Sequence, residues 1–254
     1  MNAVEIDEVT LAYRLMRDRA GSIKEFAIRA ATGRRLRVER LQALRGVTLA
    51  VRRGEVCGII GRNGAGKTTL LKLCARVLPP STGRVVVRGR IAPMIELGAG
   101  FNPELTGREN IVLYGTMLAG DPAAMRRRAQ AIAEWAGVEE FIDVPLRSYS
   151  SGMVARLAFA VATEIEPDVL LVDEVLAVGD ESFRQRSAER VEEMIGRGAA
   201  VLLVSHDLGS IRRLASTALW LEQGTVQRRG HPAAVVDDYL AAVHEKQEQE
   251  AQHG

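Results

Sequence analysis

The chain has 254 residues, of which 47% are hydrophobic and 26% charged, and this balance excludes disorder as its main state. A formal net charge of only +2 argues against binding by bulk electrostatics to nucleic acid, so we expect no nucleic-acid partner. Charges or turn residues interrupt every apolar run before it reaches the roughly eighteen residues that cross a bilayer. Cys57 and Cys74 lack disulfide or metal spacing, which is typical of a reducing, cytosolic compartment.

The first distinctive segment along the chain is strongly basic. Residues 14–40 contain nine arginines and lysines against three acids, which gives a local charge of about +6. Ser22 and Glu25 have the spacing of a capping box and predict a short helix over 22–31. A cationic helix of this kind suits an anionic membrane surface or lipid head group, and the alternative interpretation is a solvated insertion.

Short apolar runs alternate with helical patterns in the rest of the chain. Strands are predicted over 56–60, 169–172 and 199–204. Helix starts are predicted after Gly66, at the capping box Thr106–Glu109 and at Asp121–Pro122. The first of these helices should end before Pro79, and an amphipathic run covers 233–248. This alternation predicts an α/β fold with a largely parallel sheet.

The strongest chemical signal is the sequence GRNGAGKTT, which directly follows the strand predicted over 56–60 and fits a phosphate-binding loop. Its residues are Gly61, Arg62, Asn63, Gly64, Ala65, Gly66, Lys67, Thr68 and Thr69. Glycines let successive backbone N–H groups face phosphate oxygens, and the helix that follows adds its partial positive charge. Lys67 can reach the β- and γ-phosphates and Thr68 can ligate Mg²⁺, so the loop predicts ATP and Mg²⁺ as cofactors.

Two weaker signals lie further along the chain. Asp173 and Glu174 end an apolar strand; Asp173 would hold Mg²⁺, and Glu174 would polarise the attacking water. A serine–glycine turn opens a predicted helix over 154–163 and offers a second anion-binding helix end. The turn consists of Ser150, Ser151, Gly152 and Met153. Taken singly, the two acids also fit a solvated loop and the serines an ordinary N-cap.

Taken together and in this order, the motifs resemble those of the ATP-binding subunits of ABC transporters. GRNGAGKTT resembles their Walker A motif, YSSGM their signature, LLVDE their Walker B motif, VGD at 178–180 their D-loop and SHD at 205–207 their switch histidine segment. The signature glycine, Gly152, and Asp173 are 21 residues apart, as in that family. The resemblance spans about residues 40–230. It implies an α/β P-loop NTPase of the ABC ATPase type, with a mixed sheet core, a helical subdomain and an antiparallel β-subdomain.

The implied domain organisation is one nucleotide-binding domain followed by a short tail. The domain covers 1–232, with the basic insert at about 14–40 and the helical subdomain at about 95–165, and a C-terminal helical tail covers 233–254.

The chain also resembles a narrower subfamily, which exports lipid-linked O-antigen, capsular polysaccharide or teichoic acid. This resemblance is carried by residues 95–110, YSSGM, AVGD and the basic segment. In most ABC ATPases the loop at about residue 96 carries a glutamine, whereas this chain has Glu96 and Leu97 there.

The family resemblance also implies how the residues cooperate. Two copies would close head to tail, with each ATP between the Walker A loop of one copy and the signature helix of the other. Lys67, Glu174 and His206 would be catalytic, with His206 contacting the γ-phosphate, while Tyr13 would stack on adenine and Asp180 would reach across the dimer. The alternatives are a structural histidine, simple packing of Tyr13 and a helix N-cap at Asp180.

The implied partners are a second ATPase subunit and an integral membrane permease, and a lipid-linked glycan at the basic insert is a further expectation. The implied location is the cytoplasmic face of the bacterial inner membrane, with peripheral attachment. The alternative function is a soluble ABC ATPase with no transport role. DNA-maintenance ATPases of that kind separate their two nucleotide motifs by a long coiled coil, which this sequence lacks.

Overall fold

Within the described part of the chain, the fold is built from two β-sheets and a set of helices. A computed structural model of the chain describes residues 1–16, 38–95, 98–173 and 180–252. The strands are β1 (Asn2–Met16), β2 (Val38–Arg52), β3 (Val56–Ile60), β4 (Thr82–Val87), β5 (Ile91–Met94), β6 (Val169–Asp173), β7 (Ala200–Val204), β8 (Thr217–Glu222) and β9 (Thr225–Gly230). The helices are α1 (Lys67–Cys74), α2 (Gly107–Ala119), α3 (Pro122–Ala136), α4 (Ser151–Glu164), α5 (Glu181–Gly196), α6 (Leu208–Leu214) and α7 (Pro232–Gln252), with 3₁₀ turns at Glu139–Phe141 and Leu146–Ser148.

The larger sheet carries the strands that the apolar runs predict. Within the described residues its order is β5-β6-β7-β3-β8-β9, parallel except for the antiparallel pair β8–β9. Every residue of β3 and β7 is buried, because a parallel strand covered on both faces needs a continuous apolar sequence. The predicted mixed sheet is therefore confirmed.

The smaller sheet is an antiparallel unit in the order β2-β1-β4. Its long hairpin pairs Tyr13 with Leu41 and Met16 with Val38. The two ends of the basic segment predicted over 14–40 belong to this hairpin, because residues 14–16 lie in β1 and residues 38–40 lie in β2. The helix predicted over 22–31 lies outside the described residues.

Helices α2, α3 and α4 form the predicted helical region between β5 and β6. Their apolar faces share one core, at which Trp135 and Phe159 stack with ring centroids 5.6 Å apart. Phe183 of α5 packs against both rings at 5.3 and 5.8 Å. The helical region is thereby joined to the start of α5.

The C-terminal helix α7 packs against the edge of the larger sheet. Val235 and Val236 are fully buried, and Tyr239 meets Trp220 of β8 edge-on at 5.8 Å. Asp237 accepts a hydrogen bond from Arg212 of α6, and Asp238 forms an ion pair with Arg228 of β9. The start of the predicted tail thus packs on the larger sheet. Across the described ranges, no helix is both long and apolar enough to cross a membrane.

Both cysteines are buried thiols, as their apolar surroundings in the sequence predict. Burial raises the pKa of the Cys57 thiol to about 11 and that of Cys74 to about 12, since a thiolate there would lose its hydration. Both thiols therefore stay protonated and act as small apolar groups.

The predicted capping box at the start of α2 is formed in full. The hydroxyl of Thr106 accepts a hydrogen bond from the Glu109 backbone N–H at 3.2 Å, and the Glu109 carboxylate accepts from the Thr106 backbone N–H at 2.9 Å. The backbone N–H and the hydroxyl of Thr106 both donate to the Glu109 carboxylate, and these two hydrogen bonds lower the pKa of Glu109 from its ordinary value of 4.5.

Thr106→Ala should lower the free energy of unfolding by about 1 kcal/mol at neutral pH, because α2 loses its cap. Glu109→Gln should flatten the pH dependence of stability in the acid range. A carboxyl group whose pKa is lowered by folding stabilises the fold above its unfolded pKa and loses that effect as the pH falls through the folded value. Urea unfolding at pH 7 and at several acidic pH values measures both effects. Glu192→Gln, at an exposed position of α5, is the control, and an equal loss in that variant would contradict the capping argument.

Candidate nucleotide-binding site

The predicted phosphate loop connects the buried strand β3 to helix α1. Its residues turn sharply between Gly61 and Gly66, and α1 begins at Lys67. Gly64 and Gly66 have positive φ values of 79° and 104°, a backbone region that side chains other than glycine adopt with strain. The loop therefore needs glycine at these two positions for its shape.

Two of the glycines also let the loop touch other backbone segments. A methyl group at Gly61 would overlap the carbonyl oxygen of Leu221 in β8, and one at Gly66 would lie 2.6 Å from the carbonyl oxygen of Ala43 in β2. Gly224, in the β8–β9 turn, approaches the same Ala43 oxygen and donates its N–H to the Ala65 carbonyl at 3.0 Å. The phosphate loop is thus held between the two sheets.

Lys67 lies folded along the inside of the loop. Its Nζ donates to the carbonyl oxygens of Gly61 at 2.8 Å and Arg62 at 3.2 Å, and only 6% of the residue is exposed. The ammonium group is therefore held among backbone dipoles rather than in bulk water, inside the loop that the sequence predicts to bind phosphates.

The two residues predicted to hold magnesium are hydrogen bonded to each other. The Thr68 hydroxyl in α1 donates to a carboxylate oxygen of Asp173, the last residue of β6, at 2.7 Å. A hydroxyl and a carboxylate are the hard oxygen ligands that Mg²⁺ prefers when it also binds phosphates and water. Their convergence beside the glycine loop therefore fits a MgATP site.

A cavity of about 310 Å³ lies over the phosphate loop. It is lined by Asn63, Gly64, Ala65, Gly66, Lys67, Thr68 and Thr69 and by Tyr13, Leu41, Gln42 and Ala43 of the β1–β2 hairpin. The hydroxyl groups of Tyr13 and Thr69 lie 3.3 Å apart and share a hydrogen bond. Tyr13 thus adjoins the loop although 48 residues separate it from Gly61, because the hairpin folds back over that distance.

The predicted signature turn forms the N-terminus of α4. The Ser150 hydroxyl accepts a hydrogen bond from the Met153 N–H at 3.2 Å, and Ser151 is the first helical residue. Among the described residues, a Cβ at Gly152 would meet only the Ser150 hydroxyl, at 3.9 Å, so none of them covers this helix end. Tyr149, just before it, anchors the turn by donating to the Phe141 carbonyl at 2.6 Å.

The remaining predicted residues are placed at helix starts and strand ends. Asp180 accepts a hydrogen bond from the Phe183 N–H at 2.8 Å, so the N-cap interpretation of this residue is confirmed. His206 follows β7 at the same sheet edge as Asp173, and its side chain is exposed. The neighbouring Asp207 caps α6, and the hydrogen bond from the Ser210 hydroxyl lowers the pKa of its carboxyl group.

Several predicted residues lie outside the described residues, namely Glu174, Val178, Gly179, Glu96 and Leu97. Sequence reasoning missed the residues that clamp the loop, Ala43, Leu221 and Gly224. Only the last of these has a local signal, since a glycine between two apolar strands indicates a tight turn. The backbone contacts of Ala43 and Leu221 have no such signal.

The fold and this loop define the class of the protein, a P-loop nucleotide-binding protein with an α/β core. The family model described as "ABC transporter" matches residues 44–177. Among curated relatives, the O-antigen export system ATP-binding protein RfbB of Myxococcus xanthus is 40% identical over 247 residues, or 96% of this chain and 56% of that protein. RfbB of Klebsiella pneumoniae is 38% identical over 94% of this chain and 98% of that protein. The teichoic acids export ATP-binding protein TagH of Bacillus anthracis is 35% identical over 93% of this chain and 42% of its own length.

Solved structures agree with the fold. A structure described as an ATP-binding subunit of an ABC transporter has a TM-score of 0.70 at 23% identity and covers 90% of both chains. The dimeric cassette MJ0796, bound to ADP and phosphate in a post-hydrolysis state, has a TM-score of 0.72 at 22% identity and covers 90% of this chain and 98% of its own. This chain belongs to the ABC transporter ATP-binding family. The family resemblance predicted from the sequence motifs is confirmed.

The close contact at Gly61 predicts a difference between two glycine substitutions. Gly61→Ala should lower the free energy of unfolding by about 3 kcal/mol, because its methyl group has to displace the backbone at Leu221. Gly64→Ala should cost about 1 kcal/mol, because its methyl group meets none of the described residues and only the positive φ is strained. Urea unfolding measures both values, and equal losses would contradict the clamped loop.

Proposed function

We propose that this chain is the ATP-hydrolysing subunit of an exporter that moves a lipid-linked polysaccharide through a separate membrane subunit. The observation that carries the proposal is the meeting of Thr68, Asp173 and the buried Lys67 at one glycine-lined loop. The substrate class is supported by relatives whose names are those of O-antigen and teichoic acid export systems. These names favour transport over a soluble ATPase without a transport role.

Within the proposed site, the backbone of residues 61–66 and Lys67 bind the phosphates of ATP. Thr68 and Asp173 hold Mg²⁺, which neutralises phosphate charge when it is bound. Glu174 follows Asp173 directly in sequence and serves as the base that orients the attacking water. His206, at the end of the adjacent strand, contacts the γ-phosphate, and Tyr13 stacks on the adenine.

A second copy completes the site in this proposal. The N-terminus of α4, with Ser150, Ser151, Gly152 and Met153, contributes its backbone N–H groups and helix dipole to the ATP held by the partner. Its open surface at Gly152 supports this role. Asp180 reaches the partner as well as capping α5. The dimeric description of the MJ0796 cassette is consistent with such a pair.

The proposed location is the cytoplasmic face of the bacterial inner membrane, where the subunit attaches through an integral membrane permease. The basic insert lies between the ends of β1 and β2 and carries most of the local positive charge of residues 14–40. We place the anionic, lipid-linked end of the glycan at this insert, since cationic segments attract phosphate groups at membrane surfaces.

Glu174→Gln tests the catalytic assignment. The amide cannot accept the proton of the attacking water, so turnover should fall by about a hundredfold or more while ATP binding persists. An ATP-bound dimer should then accumulate, measured by size-exclusion chromatography with light scattering. Glu192→Gln on α5 is the matched control and should keep the original turnover. Unchanged turnover in Glu174→Gln would eliminate Glu174 as the base.

The same variant tests the transport role in cells. Cells that carry only Glu174→Gln should lose surface polysaccharide and accumulate its lipid-linked precursor inside, detected by glycan staining of separated fractions. Normal surface polysaccharide, with turnover abolished in the purified subunit, would rule out this substrate class.

Gly152→Asp tests the contribution of the signature helix to a partner. The position has room for a side chain, so the protein should fold and bind ATP, but a carboxylate at the α4 N-terminus repels the γ-phosphate of the partner's nucleotide. Dimerisation and turnover should both be lost. Gly196→Asp, at an open position near the end of α5, is the control. A Gly152→Asp protein that dimerises with ATP would refute the head-to-tail arrangement.

A further inference from the structure

We infer that Leu41 forms a second apolar contact for the nucleoside part of the bound nucleotide, beside Tyr13. This inference rests on the proposed binding of ATP at the phosphate loop. It assigns a binding role to a residue of β2 that belongs to none of the sequence motifs.

The register of the long hairpin places Leu41 next to Tyr13. The two residues are directly opposite each other in the antiparallel pair β1–β2, and directly opposed residues point to the same face of a sheet. That face looks toward the phosphate loop, because the Tyr13 hydroxyl is 3.3 Å from the Thr69 hydroxyl of α1. Both side chains line the cavity of about 310 Å³ over the loop.

The exposure of Leu41 distinguishes it from the other leucines of β2. Leu44 and Leu49 are 0% and 1% exposed and belong to the core, whereas Leu41 is 54% exposed. A single exposed leucine is unremarkable by itself. This one lies in the wall of a cavity whose other wall is the phosphate loop, so its apolar surface continues a ligand site.

The chemistry of the cavity separates into two parts. The loop supplies Lys67 and backbone N–H groups for phosphates, while the hairpin wall, among the described residues, is formed by Tyr13, Leu41, Gln42 and Ala43, which carry no charge. A nucleotide whose phosphates occupy the loop therefore presents its ribose and base to the hairpin wall. Contact of the flat faces of a base with an aromatic ring and an aliphatic side chain contributes favourable binding free energy. Leu41 accordingly contributes affinity for the nucleoside but none for the phosphates.

Titration calorimetry with two ligands tests this assignment. MgADP carries the nucleoside and magnesium pyrophosphate lacks it, and neither is turned over by the ATPase. Leu41→Ser should weaken ADP binding about fivefold and leave pyrophosphate binding within a factor of two. Leu41→Met should bind ADP like the original protein, since it restores a long apolar side chain. Leu113→Ser removes an exposed leucine from α2 and is the matched control.

The outcomes distinguish this inference from the proposed function. Unchanged ADP binding by Leu41→Ser, or an equal loss for ADP and pyrophosphate, would overturn the role of Leu41 while ATP binding at the loop stands. A wild-type protein that binds neither ligand would overturn the nucleotide site, and this inference with it. Leu41→Thr is a second polar variant, and its β-branched side chain favours a strand. It should weaken ADP binding as Leu41→Ser does, which separates the loss of the leucine contact from any loosening of the hairpin by serine.

Discussion

The site depends on the close approach of three backbone segments. The phosphate loop, strand β2 and the β8–β9 turn meet at the carbonyl oxygen of Ala43, which Gly66 and Gly224 both approach so closely that a Cβ on either would lie 2.6 Å away. Gly224 makes two backbone hydrogen bonds: its N–H donates to the Ala65 carbonyl at 3.0 Å, and its carbonyl accepts from the Arg45 N–H at 2.8 Å. Such contact requires residues without side chains. The loop is therefore fixed in shape before any nucleotide arrives, and its donors lose little freedom on binding.

Sheet order explains why distant residues converge at this loop. Strand β7 lies between β6 and β3, and all three run parallel, so their carboxyl ends share one edge. Asp173 ends β6, the loop follows β3, and His206 comes two residues after the end of β7. Open α/β sheets bind ligands at this edge because the chain leaves each strand there in a loop. The 2.7 Å hydrogen bond between Thr68 and Asp173 is a direct result of that geometry.

The sequence predicted the features that have local causes and missed those that arise from long-range pairing. Strand β3, the capping box at Thr106 and the N-caps at Asp121 and Asp180 follow from neighbouring residues, and each is present. The β1–β2 hairpin is different. Nothing near Tyr13 in the sequence specifies its pairing with Leu41, 28 residues later, since register depends on burial and twist along both strands. The position of Tyr13 beside the loop could therefore be predicted only from family resemblance.

The aromatic core of the helical region bears on how two copies would meet. Phe183 is buried against Trp135 of α3 and Phe159 of α4, and Arg186 covers this cluster, 5.5 Å from the Trp135 ring and 5.7 Å from the Phe183 ring. The Phe183 N–H is also the group that Asp180 caps, so the start of α5 is fixed against the signature helix. Dense aromatic packing of this kind resists sliding, because any shift opens a gap in the core. In the proposed dimer, the signature helix α4 and the start of α5 would therefore face the partner as one packed unit.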